Sequence, residues 1–223
     1  MIKSFIPKYF RDRHRYKWRN FELFFYAALG KVKRQFIRPP FPDSSFKEIN
    51  LHLGCGSIDR PEFINIDGLA APHIHYVRAI DNLAPFKSNS VNLIYASHCL
   101  EHFPYAQVPF VLSEWYRVLK EAGILRISVP DFDLLLRIYE ENNRNPETVI
   151  YPLMGYQSNK LDVHMSMFNK SNLTSLLKEA GFAQVEEWQP GSDQLTTFDD
   201  WSSRGIVVNS RSYQISLNLQ AVK

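Results

Sequence analysis

From Ile49 onward, short apolar runs alternate with segments of helical spacing, and this alternation restricts the fold more than any other feature. Strands joined by helices usually pair in parallel, because each helix returns the chain across the sheet. We predict strands at residues 49–53, 63–67, 76–79, 91–96, 124–129, 184–189 and 213–222. The sequence therefore predicts a doubly wound α/β domain with a seven-stranded, mostly parallel sheet, whose last strand is antiparallel because no helix follows it.

The string LKEAG occurs twice, ending at Gly123 and at Gly181, each time between a helical pattern and a strand pattern. Glycine readily takes the left-handed conformation that ends many helices, so both glycines are expected just after a helix. Asn169 or Ser171 is expected to cap the start of the second of these helices.

A Pro-rich stretch at residues 38–45 separates two parts of different charge. We predict a basic, aromatic extension at residues 1–45 and one domain at 46–223, with 142–168 as an insertion on the substrate side. Residues 1–38 hold eleven Lys and Arg against two acidic residues, whereas the rest holds fifteen basic against twenty-one acidic residues. The extension is therefore expected to contact a phospholipid surface, a nucleic acid or an acidic glycan carrier, or to pack on its own acidic domain.

The apolar residues of segment 21–36 recur at helical spacing and predict an amphipathic helix. Lying on a membrane surface and packing on the domain both remain open for this helix. The apolar run at 23–30 is too short to span a bilayer. Cys55 and Cys99 form neither a zinc-finger spacing nor a disulfide framework, which favours a reducing cytosol.

The stretch 49–68 carries the clearest ligand-binding pattern, since an apolar strand runs into Gly54 and Gly56 and the next strand ends at Asp67. Glycines at the carboxyl end of a strand let a ligand approach the backbone, and an acidic side chain ending the next strand can accept both ribose hydroxyls. A dinucleotide fingerprint needs a third glycine, where this chain has Asp59. A ligand with a ribose but no pyrophosphate fits this pattern better than NAD.

Six strings in order carry a family resemblance: LHLGCG, INIDG, DNLAPF, SNSVNLIYASHCLEH, RVLKEAG and HMSMFNKSNLTSLLKEAGF. Together they resemble class I S-adenosylmethionine (SAM)-dependent methyltransferases, and more narrowly the small bacterial type-11 methyltransferases. The resemblance covers about residues 49–223, and no part of the first 45 residues matches. It implies the Rossmann-like methyltransferase fold, SAM as cofactor and transfer of a methyl group.

The resemblance also implies roles for individual residues. Asp67 is expected to bind the ribose diol, and His98 to face the sulfonium and the substrate. The chain departs from the family at His52, where an acidic residue is common, and after Gly56, where the connection suits a single turn rather than a crossover helix. The expected cofactor-binding residues are Leu53, Gly54, Cys55, Gly56, Asp67, Asp81, Asn82 and Ser97.

In the string SHCLEH, residues His98, Glu101 and His102 match the HxxEH pattern of inverted zincins. That zinc site requires a helix interior, whereas here a strand runs into His98 and Pro104 follows, so no metal site is predicted. His98 and His102 are the candidate catalytic bases that remove a proton from the acceptor, with His98 nearer the cofactor. The alternative is that Glu101 and His102 fix the loop through backbone hydrogen bonds.

The insertion places further candidates near the acceptor. His164 is expected either to line the acceptor pocket or to serve only in capping and packing. Tyr151, Tyr156 and Met165 are candidates for an apolar pocket wall or for ordinary core.

These features predict a SAM-dependent methyltransferase whose acceptor the sequence does not identify. Small molecules, lipid-linked sugars and glycan precursors are favoured, because residues 1–38 could hold a cytoplasmic enzyme at the inner face of an anionic membrane. Nucleic acid is disfavoured because no RNA-binding module is recognisable. The alternative is a non-catalytic, cofactor-binding scaffold or regulatory subunit, for which His52 and the short first crossover argue. An aminopropyl transferase would need paired acidic residues that the chain lacks.

Overall fold

The structure, a computed structural model, describes Ala28, Val32 and residues 39–41, 48–193, 195 and 199–223. In chain order the strands and α-helices of this part are β1 (Asn50–Leu53), β2 (Ile64–Asp67), β3 (Tyr76–Val77), β4 (Val91–Ser97), α1 (Val108–Val118), β5 (Leu119–Pro130), α2 (Phe132–Glu141), α3 (Ile150–Met154), α4 (Lys170–Glu179), β6 (Gln184–Glu187), β7 (Gly205–Val208), β8 (Arg211–Gln214) and β9 (Ser216–Val222). Short 3₁₀ helices lie at Leu100–His102, Tyr105–Gln107 and Pro146–Thr148.

Seven strands form one sheet in the order β3-β2-β1-β4-β5-β9-β6. The strands from β3 to β5 in this order pair in parallel, whereas β9 is antiparallel to both β5 and β6. The central strand β4 is buried over most of its length, as its continuous apolarity predicts. The predicted seven-stranded, mostly parallel α/β sheet with an antiparallel last strand is confirmed.

Alternate residues of the central strands enter two apolar clusters on opposite faces of the sheet. Ile94 of β4 joins the main core, which includes the inner faces of α1 and α4. Tyr95, the next residue, packs instead with Phe63 and Trp188. Burying side chains of this size contributes about 1.5–3 kcal/mol each. Covering both faces leaves the carboxyl ends of β1, β2 and β4 at one edge, where α/β proteins bind ligands.

The two LKEAG strings adopt different structures. The second behaves as predicted, because Gly181 follows α4 with a φ of +111° and its amide donates to Lys178 O. The prediction for the first is wrong, since α1 ends at Val118 and Gly123 lies inside β5. Leu119 is fully buried, so packing against the core, rather than the helical pattern, decides where α1 ends.

The predicted last strand, residues 213–222, is in fact two strands. β8 pairs with β7 in a separate antiparallel hairpin, and only β9 enters the main sheet. Asn209 and Ser210 form the two-residue turn, with φ of +48° and +67°. Positive φ at both positions is the requirement of a type I′ turn, which Asn-Gly usually signals. Because serine stands in the place of that glycine, the sequence did not predict the hairpin.

Two local predictions concern the starts of elements. Asn169 caps α4 as expected, because its side-chain oxygen accepts from Asn172 N at 2.9 Å. The connection from β1 to β2 begins with a turn in which Ile58 N donates to Cys55 O at 3.0 Å. This connection contains no helix, in agreement with its short length.

Of the amphipathic helix predicted at 21–36, Ala28 and Val32 are described, and both are helical and exposed. The rest of that prediction lies outside the described residues. Among the helices that the structure describes, none is long and apolar enough to cross a bilayer.

Candidate active site

A cavity of about 400 Å³ opens at the carboxyl ends of β1, β2 and β4. Its volume lies in the range of small-molecule sites, about 300–1,000 Å³. The strand ends contribute Gly54, Asp67 and His98, and the insertion contributes Leu161 and Met165. We call it the larger cavity, because a second cavity of about 210 Å³ adjoins it.

Two glycines shape the loop below the larger cavity. Gly54 and Gly56 have φ of +63° and +56°, a region that glycine enters without steric cost. A Cβ on Gly54 would lie 2.9 Å from the Cβ of Cys99, whereas a Cβ on Gly56 would meet nothing within 4 Å. Both positions therefore favour glycine for their conformation, but only Gly54 also needs it for close packing.

Asp67 ends β2 in the wall of the larger cavity. Its Oδ2 accepts from Gly56 N at 2.9 Å and its Oδ1 accepts from Leu69 N at 2.8 Å. Burial raises the pKa of the Asp67 carboxyl, and these amide donors oppose the rise. Each carboxylate oxygen keeps a second lone pair, so the group can still accept two hydroxyls from a ligand.

Three other expected cofactor residues support the loop. Leu53 and Cys55 are buried beneath it, and Ser97 is half-buried at the end of β4. Burial raises the pKa of the Cys55 thiol, which therefore stays protonated at neutral pH. Leu53 and Cys55 thus position the neighbouring glycines rather than present a charge to a ligand.

Asp81 and Asn82, both expected to bind the cofactor, are exposed and lie outside the wall of the larger cavity. Asn82 Oδ1 accepts from an Arg78 guanidinium nitrogen at 2.7 Å. Ala79 and Ile80 line the cavity in their place. The cavity wall is thus formed by the two residues just before Asp81 and Asn82, and not by the polar side chains expected from the resemblance.

His52, where the resemblance led us to expect an acid, is buried in β1 on the face opposite the main core. Its ring lies edge-on to Tyr95 at 5.2 Å and to Phe63 at 5.9 Å. Burial lowers the pKa of His52 to about 3, so the ring is neutral at physiological pH. His52 does not line the larger cavity, and this departure from the family leaves the cavity wall unchanged.

A second cavity, of about 210 Å³, adjoins the first. His98 and His102 line both cavities, so the two meet at these histidines. Its wall includes Tyr151, Tyr156 and His164, three of the residues that the sequence suggested for the acceptor pocket. We call it the smaller cavity.

Aromatic side chains make much of the smaller cavity's wall. The rings of Tyr151 and Tyr156 stack with centroids 5.1 Å apart and planes at 19°. Trp201, which the sequence analysis did not single out, lies 6.4 Å from the Tyr156 ring and 6.2 Å from the His98 ring. Such a wall suits a flat or apolar group.

His98 stands directly after β4 with a φ of +51°. Its Nδ1 lies 3.3 Å from Glu101 Oε1, and its Nε2 lies 2.7 Å from Ser216 Oγ. The Ser216 hydroxyl donates its one proton to Trp201 O, so its oxygen faces His98 Nε2 as an acceptor. A carboxylate beside Nδ1 favours a proton on that nitrogen. When Nε2 leaves its contact with Ser216, a ring protonated at Nδ1 alone can accept a proton at Nε2.

Glu101 is a buried carboxylate surrounded by imidazoles. It is 1% exposed, and its Oε1 lies 3.3 Å from His98 Nδ1 and 3.9 Å from His164 Nε2. Burial alone would raise the pKa of this carboxyl, yet the hydrogen bond from His98 and the nearby histidines bring it below the ordinary value. Glu101 is therefore ionised at neutral pH.

The other two histidines of this group contact backbone carbonyls. His102 Nδ1 lies 3.1 Å from Val163 O and its Nε2 lies 3.2 Å from His98 O. His164 Nδ1 lies 3.0 Å from Pro152 O, and burial lowers the pKa of this histidine. The rings of His102 and His164 are 4.9 Å apart.

These contacts bear on the alternatives for the SHCLEH string. Glu101 and His102 lie in the 3₁₀ helix Leu100–His102 and not inside an α-helix, so the inverted-zincin geometry is absent. The backbone contacts of His102 match the loop-fixing alternative. The carboxylate of Glu101 does not, because it faces histidines rather than backbone amides.

A family model described as a methyltransferase domain matches residues 34–187. The match spans more than half of the chain, and the chain belongs to this methyltransferase domain family. It is a class I SAM-dependent methyltransferase with the Rossmann-like fold, which confirms the class that the sequence resembled.

The fold is shared with many solved structures. A SAM-dependent methyltransferase of Thermotoga maritima, described as a possible histamine N-methyltransferase, is 16% identical, with 95% of this chain and 97% of that chain covered and a TM-score of 0.51. The 1,6-didemethyltoxoflavin-N1-methyltransferase of Burkholderia thailandensis, solved with S-adenosylhomocysteine, is 13% identical, with coverage of 89% and 76% and a TM-score of 0.48. No curated protein sequence matches the chain. The likeness to the Thermotoga maritima structure shows the fold alone and leaves the acceptor undefined.

Proposed function

We propose that the larger cavity binds SAM, that the smaller cavity binds the acceptor, and that His98 removes the acceptor's proton during methyl transfer. The observation that carries this proposal is that the two cavities meet at His98 and His102. A methyl donor and an acceptor must be aligned within a few ångströms, and adjoining cavities with a shared wall supply that alignment.

The larger cavity suits SAM in volume and in the chemistry of its wall. The absence of a side chain at Gly54 lets the cofactor approach the backbone, and Asp67 keeps two acceptor sites for the ribose hydroxyls. Ile80 and Leu161 offer apolar contacts for the adenine. When bound, SAM supplies a methyl group activated by a positive sulfur that leaves as a neutral thioether.

The smaller cavity favours a small acceptor carrying a hydroxyl or an N–H group. A volume of about 210 Å³ between aromatic walls accommodates a single ring or one sugar unit rather than a nucleic-acid duplex. His98 Nε2 would exchange its contact with Ser216 for the acceptor, while Glu101 holds Nδ1. Removal of the acceptor's proton by an oriented imidazole contributes about 10²–10⁴ in rate.

We further propose that residues 1–38 bring the enzyme to an anionic membrane, where lipid-linked sugars or glycan precursors are acceptors. The charge of that segment, eleven basic against two acidic residues, supports this idea. Basic side chains near an anionic bilayer contribute about 1 kcal/mol each.

Calorimetric titration with SAM and S-adenosylhomocysteine tests the cofactor part of the proposal. Wild type should bind both, and Asp67→Ala and Asp67→Asn should lower the affinity at least about tenfold, because hydrogen bonds to a charged group are lost. Asp81→Asn is the matched comparison, since its exposed carboxylate lies outside the cavity wall and should matter much less. Wild type that binds neither compound, or Asp67→Ala with unchanged affinity, would reject the proposal.

A further inference from the structure

Glu101, His102 and His164 form a cluster that the proposed methyl transfer does not fully use. One ligand atom from each residue lies within 4.8 Å of the other two. We infer that this cluster, together with an open position toward the smaller cavity, binds a divalent transition-metal ion of the zinc type.

The first support is the burial of Glu101. Its side chain is 1% exposed, and among the described residues no group forms a hydrogen bond of good geometry with either carboxylate oxygen. Oε1 lies 3.3 Å from His98 Nδ1, and Oε2 has no ion-pair contact of that kind. A buried carboxylate requires a positive partner, and a metal ion is the most effective one.

The second support is the orientation of His164. Its Nδ1 lies 3.0 Å from Pro152 O, a contact that fixes the proton on Nδ1. The lone pair is then on Nε2, which points toward Glu101 Oε1 at 3.9 Å. Metal-binding histidines are held in this way, with the far nitrogen donating to a backbone carbonyl.

His102 adds a third argument from hydrogen-bond counting. A neutral imidazole has one N–H, yet both nitrogens of His102 lie near carbonyl oxygens, at 3.1 and 3.2 Å. One nitrogen therefore directs a lone pair at a carbonyl oxygen, which is repulsive. An ion does not fit between a nitrogen and a carbonyl oxygen that are 3.1–3.2 Å apart, so the ring has to turn that nitrogen away from its carbonyl to bind the ion, which also relieves the repulsion.

The donor set suits zinc and its neighbours. Two imidazoles and one carboxylate, with a fourth position left for water or substrate, form a common catalytic zinc set. Ligand atoms about 2.0–2.2 Å from a tetrahedral ion are about 3.3–3.6 Å apart. The separations in the cluster, which reach 4.8 Å, therefore have to shorten by up to about 1.5 Å, and the three side chains must turn toward the ion to bind it. His102 and His164 also line the smaller cavity, which gives an ion a path from solvent.

The site differs from the inverted-zincin reading of the same string. That pattern would use both histidines of SHCLEH and a helix, whereas this site takes His102 together with His164 from the insertion. His98 stays outside the ligand set and holds Glu101 Oε1, so it remains free to act on the acceptor.

The experiment uses full-length protein stripped with a chelator and dialysed. Titration with Zn²⁺ alone by calorimetry should show one ion per chain, and Co²⁺ should give the visible bands of a low-coordinate histidine site. Zn²⁺ should also raise the thermal midpoint of the wild type. Glu101→Gln and His164→Ala should weaken Zn²⁺ binding at least about tenfold. Removing a residue that only hydrogen-bonds a metal ligand already costs about that much, and removing the ligand itself should cost no less. His73→Gln, which alters a histidine outside the cluster, should leave the affinity unchanged.

Wild type that binds neither Zn²⁺ nor Co²⁺ would overturn the inference, and protonated imidazoles would then be the partners of Glu101. Equal Zn²⁺ affinity in His164→Ala and wild type would also overturn it. The thermal shift of the wild type shows whether an ion binds at all, and the two variants show where it binds, so one variant that fails to fold does not hide the answer. SAM titration of the stripped protein separates this result from the proposed function, because it measures cofactor binding with no ion present.

Discussion

The larger and smaller cavities share two histidines but are assembled in different ways. The larger cavity, the proposed cofactor site, is built locally: Gly54 and Asp67 follow two neighbouring strands, and Gly56 N joins them by a hydrogen bond to Asp67. The smaller cavity, the proposed acceptor site, is built by long-range contacts, since His98 contacts Ser216 across 118 positions of sequence. A loop fixed by its sequence neighbours thus lies beside a wall assembled from distant segments. Acceptor choice is therefore expected to reside in the long-range side.

The largest expected effect is that of His98→Gln, at the wall where the two cavities meet. Transfer of an isotopically labelled methyl group from SAM into an extract of the source cells should fall by about 10²–10⁴, because the base is lost. SAM affinity should change far less. Ser216→Ala is the control, since it removes a contact of His98 but not the base. Full transfer by His98→Gln would mean that the acceptor needs no base.

A smaller effect is expected from the paired variants Gly54→Ala and Gly56→Ala on the local side. Both force alanine into a left-handed conformation, at a cost of about 1–2 kcal/mol each. Only Gly54→Ala adds a contact of 2.9 Å with the Cβ of Cys99. The loss of SAM affinity should therefore be about tenfold or more greater in Gly54→Ala than in Gly56→Ala. Equal losses in calorimetry would show that close packing at Gly54 is unimportant.

His52→Gln tests the packing behind the larger cavity through pH. Burial lowers the pKa of His52 to about 3 from the ordinary value of 6.5, so between these values the unfolded chain binds a proton that the folded chain excludes. The contribution of His52 to the free energy of unfolding is complete above about pH 6.5. It is lost as the pH falls, by up to about 1.4 kcal/mol per pH unit. Urea unfolding from pH 7 to about pH 4 should give a shallower dependence for His52→Gln. Parallel curves would contradict the burial of an uncharged ring.

Deletion of residues 1–38 should have the smallest effect on either cavity. SAM affinity should stay at the wild-type value, because no residue of that segment lines the larger cavity as the structure describes it. Binding to vesicles of anionic lipid at low salt should fall strongly, since eleven basic residues are removed. Unchanged vesicle binding, or a preference for RNA over vesicles, would exclude the membrane proposal.

The features that could be predicted from the sequence are those formed by local contacts, and the features that could not are mostly formed by long-range contacts. The glycines, Asp67 and the central strand could be predicted because each depends on neighbours within about twenty residues. The hairpin β7–β8 could not, because its turn uses Asn209–Ser210 in place of the usual Asn-Gly. The end of α1 was misplaced because the burial of Leu119 overrides its helical pattern.

The smaller cavity shows the limit more clearly. The sequence singled out His98, Glu101 and His102 as one string and His164 apart from it, and no spacing rule joins His164 to the string. Contacts such as His98 with Ser216 arise from the pairing of β5 with β9. Only the folded chain shows that a buried carboxylate faces three imidazoles.

The place of β9 in the sheet has a consequence for folding. This strand is antiparallel between β5 and β6, and its first residue, Ser216, supplies the hydroxyl beside His98. Both of its neighbours precede it in the chain, so the sheet stays divided until β9 inserts between them. Closure of the sheet and completion of the wall around His98 are therefore expected to be one event, with contacts far apart in sequence that form slowly.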